Sequence, residues 1–231
     1  MKKNTVVSVI IPTKNEEKNI VRCLTSIKKQ KCNDRIEIIL VDDGSTDDSI
    51  ASVEDFNIRI IRIEKNQGQA AAQNLGIINA LGEYITFLDS DDVLCLHGLR
   101  WRLDWIMKNV SEKLVAGRIA GIIDENGNPL GSYQAILNPR YTTPPSFVSL
   151  ETLRSGQEFP SQIWNILFKR NFLLEVGAFD ETLRCAHDND YIYRILQQTY
   201  IPFVDKPTVY YRLHNDNLSG RLSKTGFRYH P

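Results

Sequence analysis

The sequence predicts an α/β fold in which a mostly parallel central sheet is flanked by helices. The first observation is that short runs rich in β-branched residues alternate with amphipathic segments along the first half of the chain. Such runs are typical of buried strands and such segments of helices, and their strict alternation predicts a parallel, doubly wound sheet. The second observation is that polar clusters follow three of the predicted strands, where open sheets of this kind bind their ligands.

The first half of the chain contains the predicted parallel unit. Strands are predicted at residues 6–11, 36–41, 58–63 and 84–88, and helices at residues 16–29, from residue 46 onward and at 67–80. The first helix places four apolar residues on one face. The second is predicted to begin with Asp47 and Asp48 in its first turn, where the helix dipole favours acidic side chains. The third is rich in alanine and ends before Gly82.

The second half is less regular and predicts a smaller lobe of mixed structure. A helix is predicted at 96–109, followed by a hairpin of residues 114–123 and 130–136 around a turn rich in Asn and Gly. The remaining predictions are a loop at 138–147, a helix at 149–154, a strand at 163–168, a helix at 188–198 and a strand at 208–213. Residues 1–110 and 111–231 are expected to form two halves of one domain that ends in a mobile polar tail.

Composition argues against several classes of function. Lys plus Arg is 28 and Asp plus Glu is 28, so the charge balance gives no reason to expect a nucleic acid partner. The four cysteines show no C-x-x-C spacing, and we expect reduced thiols in a cytoplasmic protein rather than disulfides or a zinc site. The first apolar run stops at Pro12, too early for a signal peptide, and no later run reaches about 18 residues. We therefore expect no transmembrane segment.

Three carboxylates, those of Asp89, Asp91 and Asp92, directly follow the fourth predicted strand. Carboxylates this close repel one another, and clustering them at the mouth of a sheet is costly unless a cation neutralises them. Hard oxygen ligands suit Mg²⁺ or Mn²⁺, which bind one or two carboxylates together with substrate phosphates. The alternative is a solvated acidic turn that caps the next helix. The apolar strand immediately before the cluster favours the metal site.

Polar residues also follow the first and second predicted strands. After the second strand, Gly44 permits a tight turn, and the carboxylate of Asp43 beside it can accept hydrogen bonds from a nucleobase or a ribose. The alternative is a loop in which Ser45 or Thr46 caps the following helix, and both interpretations can hold together. The first strand ends in the polar run 12–16, which would line the same mouth.

In order and spacing, these motifs match one family. The chain resembles the glycosyltransferases of family 2, strongly over residues 6–95 and less closely over 168–219. The resemblance implies the GT-A fold, with a Rossmann-like sheet, a nucleotide-sugar-binding half at 1–110 and an acceptor-binding half at 111–231. The matching runs are VSVIIPTKNE at 7–16, VDDGSTD at 41–47, NQG at 66–68, NLG at 74–76 and GEYITFLDSDD at 82–92.

The resemblance implies roles for residues in these motifs. In the Asp-x-Asp signature, Asp89 falls on the ribose side of the bound nucleotide sugar and Asp91 becomes the principal metal ligand. Asp92 could serve either purpose. The implied metal, Mn²⁺ or Mg²⁺, bridges the diphosphate and stabilises the charge that builds on it as it leaves. The residues implied to contact the base and ribose from the first two strand ends are Pro12, Thr13, Glu16 and Asp43.

A later pair of motifs extends the resemblance. The runs VGAFDE at 176–181 and AHDNDY at 186–191 are similar to the Gly-x-Phe-Asp-Glu and Glu-Asp motifs of the family. Asp188 is thereby implied to be the catalytic base that removes the proton of the acceptor hydroxyl. The alternative for Asp188 is a helix N-cap. His187 stands where the family usually has Glu, and Asp190 could partly replace that missing carboxylate.

Of two further positions, His214 matches the family pattern and Gln73 differs from it. The run YRLH at 211–214 resembles the Tyr-Arg-x-His of many relatives, and in some of them the histidine reaches the metal or the diphosphate. His214 is therefore implied as a second metal ligand, and a surface histidine is the alternative. Gln73 stands where the family often has Arg, so one polar contact near the donor differs from the family pattern.

The resemblance implies an enzyme that moves a hexosyl or hexosaminyl group from a nucleoside-diphosphate sugar to an acceptor hydroxyl with inversion. UDP is the nucleotide expected first, with GDP and dTDP as alternatives. The sequence has no Gln-x-x-Arg-Trp motif, which argues against a processive polysaccharide synthase. We expect addition of a single sugar to a glycan or lipid-linked acceptor in cell-surface polysaccharide biosynthesis, with peripheral association at the inner face of the membrane.

Three other classes share part of this pattern. Residues 89–93 also fit the Asp-x-Asp-x-Val start of haloacid-dehalogenase-like phosphatases, in which the first Asp is the nucleophile, but that motif usually follows the first strand. Nucleotidyltransferases have a related sheet but typically begin with a Gly-rich loop, which is not found after the first strand here. The third alternative is a non-catalytic sugar-nucleotide-binding protein, against which the presence of both Asp91 and Asp188 argues.

Overall fold

One ten-stranded sheet forms the centre of the part of the chain that the structure describes. The structure, a computed structural model, describes residues 6–32, 35–132, 146–154 and 163–214. Its strands are β1 (Val6–Thr13), β2 (Arg35–Asp42), β3 (Arg59–Arg62), β4 (Tyr84–Phe87), β5 (Val93–Leu94), β6 (Leu114–Ile123), β7 (Pro129–Gly131), β8 (Phe147–Val148), β9 (Ile166–Lys169) and β10 (Ile201–Arg212). Its helices are α1 (Ile20–Lys28), α2 (Gln69–Asn79), α3 (Gly98–Lys108), α4 (Leu150–Arg154), α5 (Arg170–Val176) and α6 (His187–Leu196), with 3-10 turns at Ala51–Val53 and Ile163–Asn165.

The strand order places β1 between β2 and β4. Across the sheet the order is β3-β2-β1-β4-β9-β6-β10-β5, with β7 paired to β6 and β8 to β10. β1 is parallel to both of its neighbours, and β3 continues the parallel set beyond β2. β9 is antiparallel to β4 and to β6, whereas β10 is parallel to β6. The predicted α/β class with a mostly parallel sheet is therefore confirmed, and the mixed part lies in the second half of the chain.

The helices on the first half of the sheet pack through faces that the sequence encodes. The apolar face of α1 is buried and consists of Ile20, Cys23, Leu24 and Ile27. The buried side of α2 consists largely of small residues, which lets this helix approach β1 closely. A Cβ atom built on Gly76 would lie 2.3 Å from Cγ2 of the buried Ile10, so at this contact only glycine fits without a shift of helix or strand.

The segment after β2 differs from the predicted helix that begins at residue 46. It consists of turns and the single 3-10 turn Ala51–Val53. Polar side chains that were expected in the helix instead bind backbone groups of the β1–α1 connection: Asp47 Oδ2 accepts from Glu17 N at 3.1 Å, and Ser49 Oγ accepts from Glu16 N at 2.6 Å. Backbone N–H groups of the segment also bind side-chain oxygens, Thr46 N to Asn15 Oδ1 at 2.8 Å and Ser49 N to Asp47 Oδ1 at 3.0 Å, and such bonds compete with helix formation. The connection itself is a turn, and α1 begins at Ile20 rather than at residue 16.

The second half follows the predicted order of elements with shifted bounds. β6 and β7 form the predicted hairpin. The strand predicted at 163–168 begins as a 3-10 turn and continues as β9, and the strand predicted at 208–213 is the end of the longer β10. β5, β8 and α5 lie where no strand or helix was predicted. Residues 133–136 of the hairpin, residues 138–145 of the predicted loop and the predicted tail lie outside the described residues.

We expect Gly76→Ala to destabilise the protein by about 1–3 kcal/mol, because the added methyl overlaps Ile10 in a packed core. Ile10→Ala removes the methyl that the new Cβ would meet, so the double variant should lose less stability than the two single losses added together. Denaturant unfolding of the four proteins measures this coupling. Strictly additive losses would show that α2 and β1 are not in contact at Gly76.

Candidate active site

The carboxyl ends of β1, β2 and β4 meet at one edge of the sheet. Just beyond β4, Leu88 N donates to Ile10 O at 3.0 Å, and just beyond β2, Asp43 N donates to Thr13 O at 2.9 Å. These backbone bonds continue the parallel pairing past the ends of the strands. The polar runs that follow the three strands, including the one that starts at Asp89, therefore line one mouth, as the sequence predicts.

A cluster of carboxylates follows β4. One oxygen each of Asp89, Asp91 and Asp92 lies within 4.8 Å of the others. Burial raises the pKa of Asp89, and the charges of Asp91 and Asp188 raise it further. Gln69, the first residue of α2, donates from Nε2 to Asp89 Oδ1 at 2.9 Å and opposes this rise. The neighbouring carboxylates thus disfavour the charged form of Asp89, and a cation bound between them would relieve that cost.

A histidine just beyond β10 reaches the same cluster. Nε2 of His214 lies 2.9 Å from Oδ2 of Asp91, and the two side chains are only 8% and 17% exposed. One ligand atom each of Glu16, Asp91 and His214 lies within 4.8 Å of the others. Carboxylates suit Mg²⁺ and Mn²⁺ and imidazole suits transition metals, so this mixed donor set fits Mn²⁺ better than Mg²⁺. The structure therefore brings the two predicted metal ligands together.

Glu16, predicted to contact the nucleoside, lies beside these metal-binding candidates. Its Oε2 accepts a hydrogen bond from Asn19 Nδ2 at 2.9 Å, and its backbone N–H donates to Ser49 Oγ. Burial raises the pKa of Glu16, the Asn19 bond lowers it and the charge of Asp91 raises it again. The position of Glu16 is thus suited to a metal ligand as well as to a nucleotide contact.

Asp92 lies beneath the cluster rather than at its open face. Its side chain is fully buried, and its Oδ1 accepts a hydrogen bond from Arg212 N at 2.8 Å. Burial raises its pKa, and the charges of Asp91 and Asp89 raise it further. In this position Asp92 joins the segment after β4 to the end of β10. The structure therefore gives no support to the predicted nucleotide contact of Asp92.

The nucleoside-binding residues predicted at β1 and β2 are nearly inaccessible. Asp43 is 4% exposed, and its two carboxylate oxygens accept from the backbone N–H groups of Gln67 at 2.7 Å and Gly68 at 2.9 Å. Asp43 thereby holds the loop between β3 and α2. Thr13 is 2% exposed, and within the described part of the chain its Oγ1 has no hydrogen-bond partner. Pro12 is buried within β1 beside β2.

Asp188 lies half-buried in the first turn of α6. The N-cap of this helix is Ala186, in a left-handed conformation with φ 59°, so the alternative that Asp188 is the N-cap is wrong. Oδ1 of Asp188 accepts from Asn189 N at 3.0 Å. Its charge is one of the causes of the raised pKa of Asp89, after burial and the charge of Asp91.

The loop before Asp188 is fastened to α2. Asn74 donates from Nδ2 to Phe179 O at 3.0 Å and to Glu181 Oε1 at 2.8 Å, and its Oδ1 accepts from Phe179 N at 2.8 Å. Arg184 Nη1 donates to Gln67 O at 3.2 Å, which ties the same loop to the start of α2. No role was predicted for Asn74, although it belongs to the NLG run, and none was predicted for Gln69.

The two residues that differ from the family pattern, His187 and Gln73, are buried. His187 is 5% exposed and its ring lies 6.0 Å from the ring of Phe179, and burial lowers its pKa. It therefore fills space as a neutral ring rather than supplying charge. Asp190 accepts from Arg194 Nε at 2.9 Å, so its carboxylate is engaged one turn along α6 and does not replace the missing glutamate. Gln73 is fully buried within α2.

Comparison with known proteins agrees with this geometry. Residues 8–148 match the family model described as Glycosyl transferase family 2. The chain is 37% identical over 131 residues to the glycosyltransferase GlyG of Streptococcus pneumoniae, which covers 53% of this chain and 42% of the relative. It is 28% identical over 229 residues to a chondroitin synthase of Escherichia coli, covering 95% of this chain and 30% of the relative.

A solved structure shares the fold. The crystal structure of S. aureus TarS 1-349 in complex with UDP-GlcNAc matches with a TM-score of 0.71 at 24% identity, covering 90% of this chain and 58% of that chain. The expected GT-A fold is thereby confirmed. The chain spans less than half the length of the first curated relatives that it matches. None of the helices in the described part of the chain has the length and apolar character that crossing a bilayer requires.

We expect Asn74→Ala to destabilise the protein by about 1–3 kcal/mol for each backbone group of Phe179 that is left buried without its partner. Asn79→Ala on the same helix is the matched control, because the bond to Asn79 Oδ1 comes from Arg59 in an exposed contact and should cost under about 1 kcal/mol. Denaturant unfolding compares the two variants, and hydrogen exchange reports the amide of Phe179. Equal losses in both would argue against a special role of Asn74.

Proposed function

Because the chain belongs to glycosyl transferase family 2, we propose that it transfers a sugar from a nucleoside-diphosphate sugar to an acceptor hydroxyl with inversion at the anomeric carbon. The observation that carries this proposal is that Asp91 and His214 meet at the edge of the sheet where the predicted donor site lies, and the charge of Asp188, which raises the pKa of the adjacent Asp89, supports it. A protein that only binds a sugar nucleotide has no use for a base beside its metal site. The proposed enzyme is of the hexosyl- or hexosaminyltransferase type.

The donor site is proposed at the carboxyl ends of β1, β2 and β4, where open α/β sheets bind nucleotides. The position of Thr13 supports it, because Thr13 is the last residue of β1 at this edge and its hydroxyl has no partner in the described structure. Asp43 would act through the loop that it holds as well as by direct contact, and Asp89 would face the ribose. UDP is the proposed nucleotide, because the structure of TarS that shares this fold was solved with UDP-GlcNAc.

The divalent metal is proposed to be held by Asp91 and His214, with Glu16 within reach as a third protein ligand. A bound Mn²⁺ or Mg²⁺ would supply positive charge that stabilises the departing diphosphate. The protein contributes the charge pattern that favours a cation, because the carboxylates of Asp89, Asp91 and Asp92 are crowded at the end of a strand.

Asp188 is proposed as the general base. As the acceptor oxygen bonds to the anomeric carbon, the bond from that carbon to the diphosphate breaks and the acceptor proton passes to Asp188. Attack from the side opposite the leaving group inverts the anomeric centre. Asp188 lies in the first turn of α6, at the positive end of the helix dipole, and the Asn189 N–H donates to its Oδ1. The acceptor hydroxyl would bond to its Oδ2.

The acceptor is proposed to be a glycan or a lipid-linked precursor in cell-surface polysaccharide biosynthesis. The similarity to a chondroitin synthase supports a sugar acceptor. A lipid-linked acceptor would place the protein at the cytoplasmic face of the membrane through peripheral association. The family match gives the haloacid-dehalogenase-like phosphatase no support.

We expect the protein to release UDP from at least one UDP-sugar in the presence of Mn²⁺ and a suitable acceptor. Asp188→Asn should reduce acceptor-dependent transfer by about 10²- to 10⁴-fold, because the amide cannot take the proton. Asp190→Asn, two residues along the same helix and paired with Arg194, is the control and should stay near wild-type activity. A panel of UDP-, GDP- and dTDP-sugars with coupled detection of the nucleotide provides the measurement. Full transfer by Asp188→Asn would refute the assignment of the base.

Mn²⁺ alone should stabilise the folded protein. At a concentration of 100 times Kd, the gain is about 2.7 kcal/mol, which corresponds to a rise in Tm of about 5–10 °C for a chain of this size. Asp91→Asn should lose this rise while melting no lower than the wild type without metal, since one of the repelling charges is removed. Asp104→Asn, in an exposed pair with Arg100, should keep the rise. Thermal unfolding with and without Mn²⁺ measures this rise in each protein. If Asp91→Asn keeps the rise in Tm, the metal is bound elsewhere.

A further inference from the structure

Arg212, the last residue of β10, connects three segments around the carboxylate cluster. Its side chain is 1% exposed. Nε donates to Asp91 O at 2.7 Å, and the backbone N–H donates to Asp92 Oδ1 at 2.8 Å. Nη1 donates to Asp124 O at 2.8 Å and to Glu125 O at 3.1 Å, both in the turn between β6 and β7. One residue thus binds the acidic segment after β4 and the hairpin turn at the same time.

These bonds bear directly on the proposed metal ligands. The Asp91 main chain is held by the Arg212 guanidinium, and the Asp91 side chain lies against His214, two residues beyond Arg212. Leu213, between the two, donates its backbone N–H to Ile123 O at 2.9 Å, so the end of β10 is itself fastened to β6. Asp91 and His214 therefore approach each other from segments that are both fixed at Arg212.

The charge of Arg212 also suits this position. Burial lowers its pKa and the nearby Arg22 lowers it further, whereas the carboxylates of Asp92 and Asp91 raise it. A guanidinium remains protonated under such conditions, and its hydrogen bonds to carbonyl oxygens are charge-assisted and therefore strong. Its planar fork reaches two separate segments in a way that a single ammonium group cannot.

We propose that Arg212 is a positioning residue for metal binding: by joining the main chain of Asp91 to the turn at residues 124–125, it holds Asp91 and His214 at the spacing that the metal requires. The inference rests on the proposed metal role of Asp91 and His214. Residues that orient metal ligands without touching the metal typically change its affinity by about 10- to 100-fold when they are replaced. Arg212 belongs to this class, and we expect it to change the affinity for the metal ion in the absence of a nucleotide sugar.

The test measures Mn²⁺ affinity without substrate, by electron paramagnetic resonance of the free ion during titration. Arg212→Lys keeps the charge and removes the fork, and we expect Mn²⁺ to bind about 10- to 100-fold more weakly. The matched control is Arg102→Lys. Arg102 is equally buried, with Nε donating to Gly98 O at 3.1 Å and Nη1 to Thr86 Oγ1 at 3.1 Å, and none of these partners is in the carboxylate cluster. Its variant should bind Mn²⁺ as the wild type does.

The outcomes separate the two proposals. Wild-type protein that binds no Mn²⁺ overturns the metal site itself and the role of Arg212 with it. Binding by the wild type with unchanged affinity in Arg212→Lys overturns the positioning role alone. Equal weakening in Arg212→Lys and Arg102→Lys also overturns it, because loss of stability would then explain both. Adding Arg212→Lys to the His214→Ala variant should weaken Mn²⁺ binding by a smaller factor than Arg212→Lys does in the wild type, since the two substitutions act on the same ligand pair.

A second variant keeps the test decisive if Arg212→Lys does not fold. Arg22 is exposed and donates from Nη1 to Glu125 O at 2.6 Å, so Arg22→Gln loosens the same turn without touching a buried group. The loss of one such bond corresponds to about a two- to tenfold change in an equilibrium constant, and Mn²⁺ should bind more weakly by a factor in this range. Unchanged affinity in Arg22→Gln would overturn the link between the turn and the metal ligands.

Discussion

Parallel pairing of β1 with a strand on each side is the constraint on which the rest of the structure depends. Because β2 and β4 run in the same direction as β1, the chain must cross over the sheet to reach each of them, and the crossover elements must pack closely against it. The contact of Gly76 in α2 with Ile10 in β1 shows how little room is left. The same pairing aligns three carboxyl ends at one edge, so residues far apart in the chain meet there.

Three of the acidic side chains at that edge accept hydrogen bonds from another segment. Asp43 accepts from two backbone amides of the β3–α2 loop, Asp92 from the end of β10 and Asp89 from the start of α2. A buried carboxylate without such donors is too costly to keep, so the loops must adopt the conformations that supply them. The acidic residues thereby determine the course of the loops around the site, in addition to any role in chemistry.

The parts of the fold and site that were predictable depend on local pattern. The strands of the first half, the hairpin and the acidic cluster after β4 follow from runs of neighbouring residues. The helix predicted from residue 46 does not form, and backbone groups of that segment bond to side chains instead, among them Thr46 N to Asn15 Oδ1 in the β1–α1 connection, about 30 positions away. The bonds of Arg212 join residues about 120 positions apart and depend on strand order, which spacing alone does not reveal. Asp188 and His214 were identified through family resemblance, not through their spacing.

Helix α2 touches both sides of the reaction that the site is proposed to perform. Its first residue, Gln69, binds Asp89, and Asn74 fastens the loop that leads to Asp188. These two anchors are about 7–8 Å apart along one straight helix, since each residue advances the axis by about 1.5 Å. A shift of this one helix would therefore displace both the partner of Asp89 and the loop that precedes Asp188, so the two segments cannot move independently of α2.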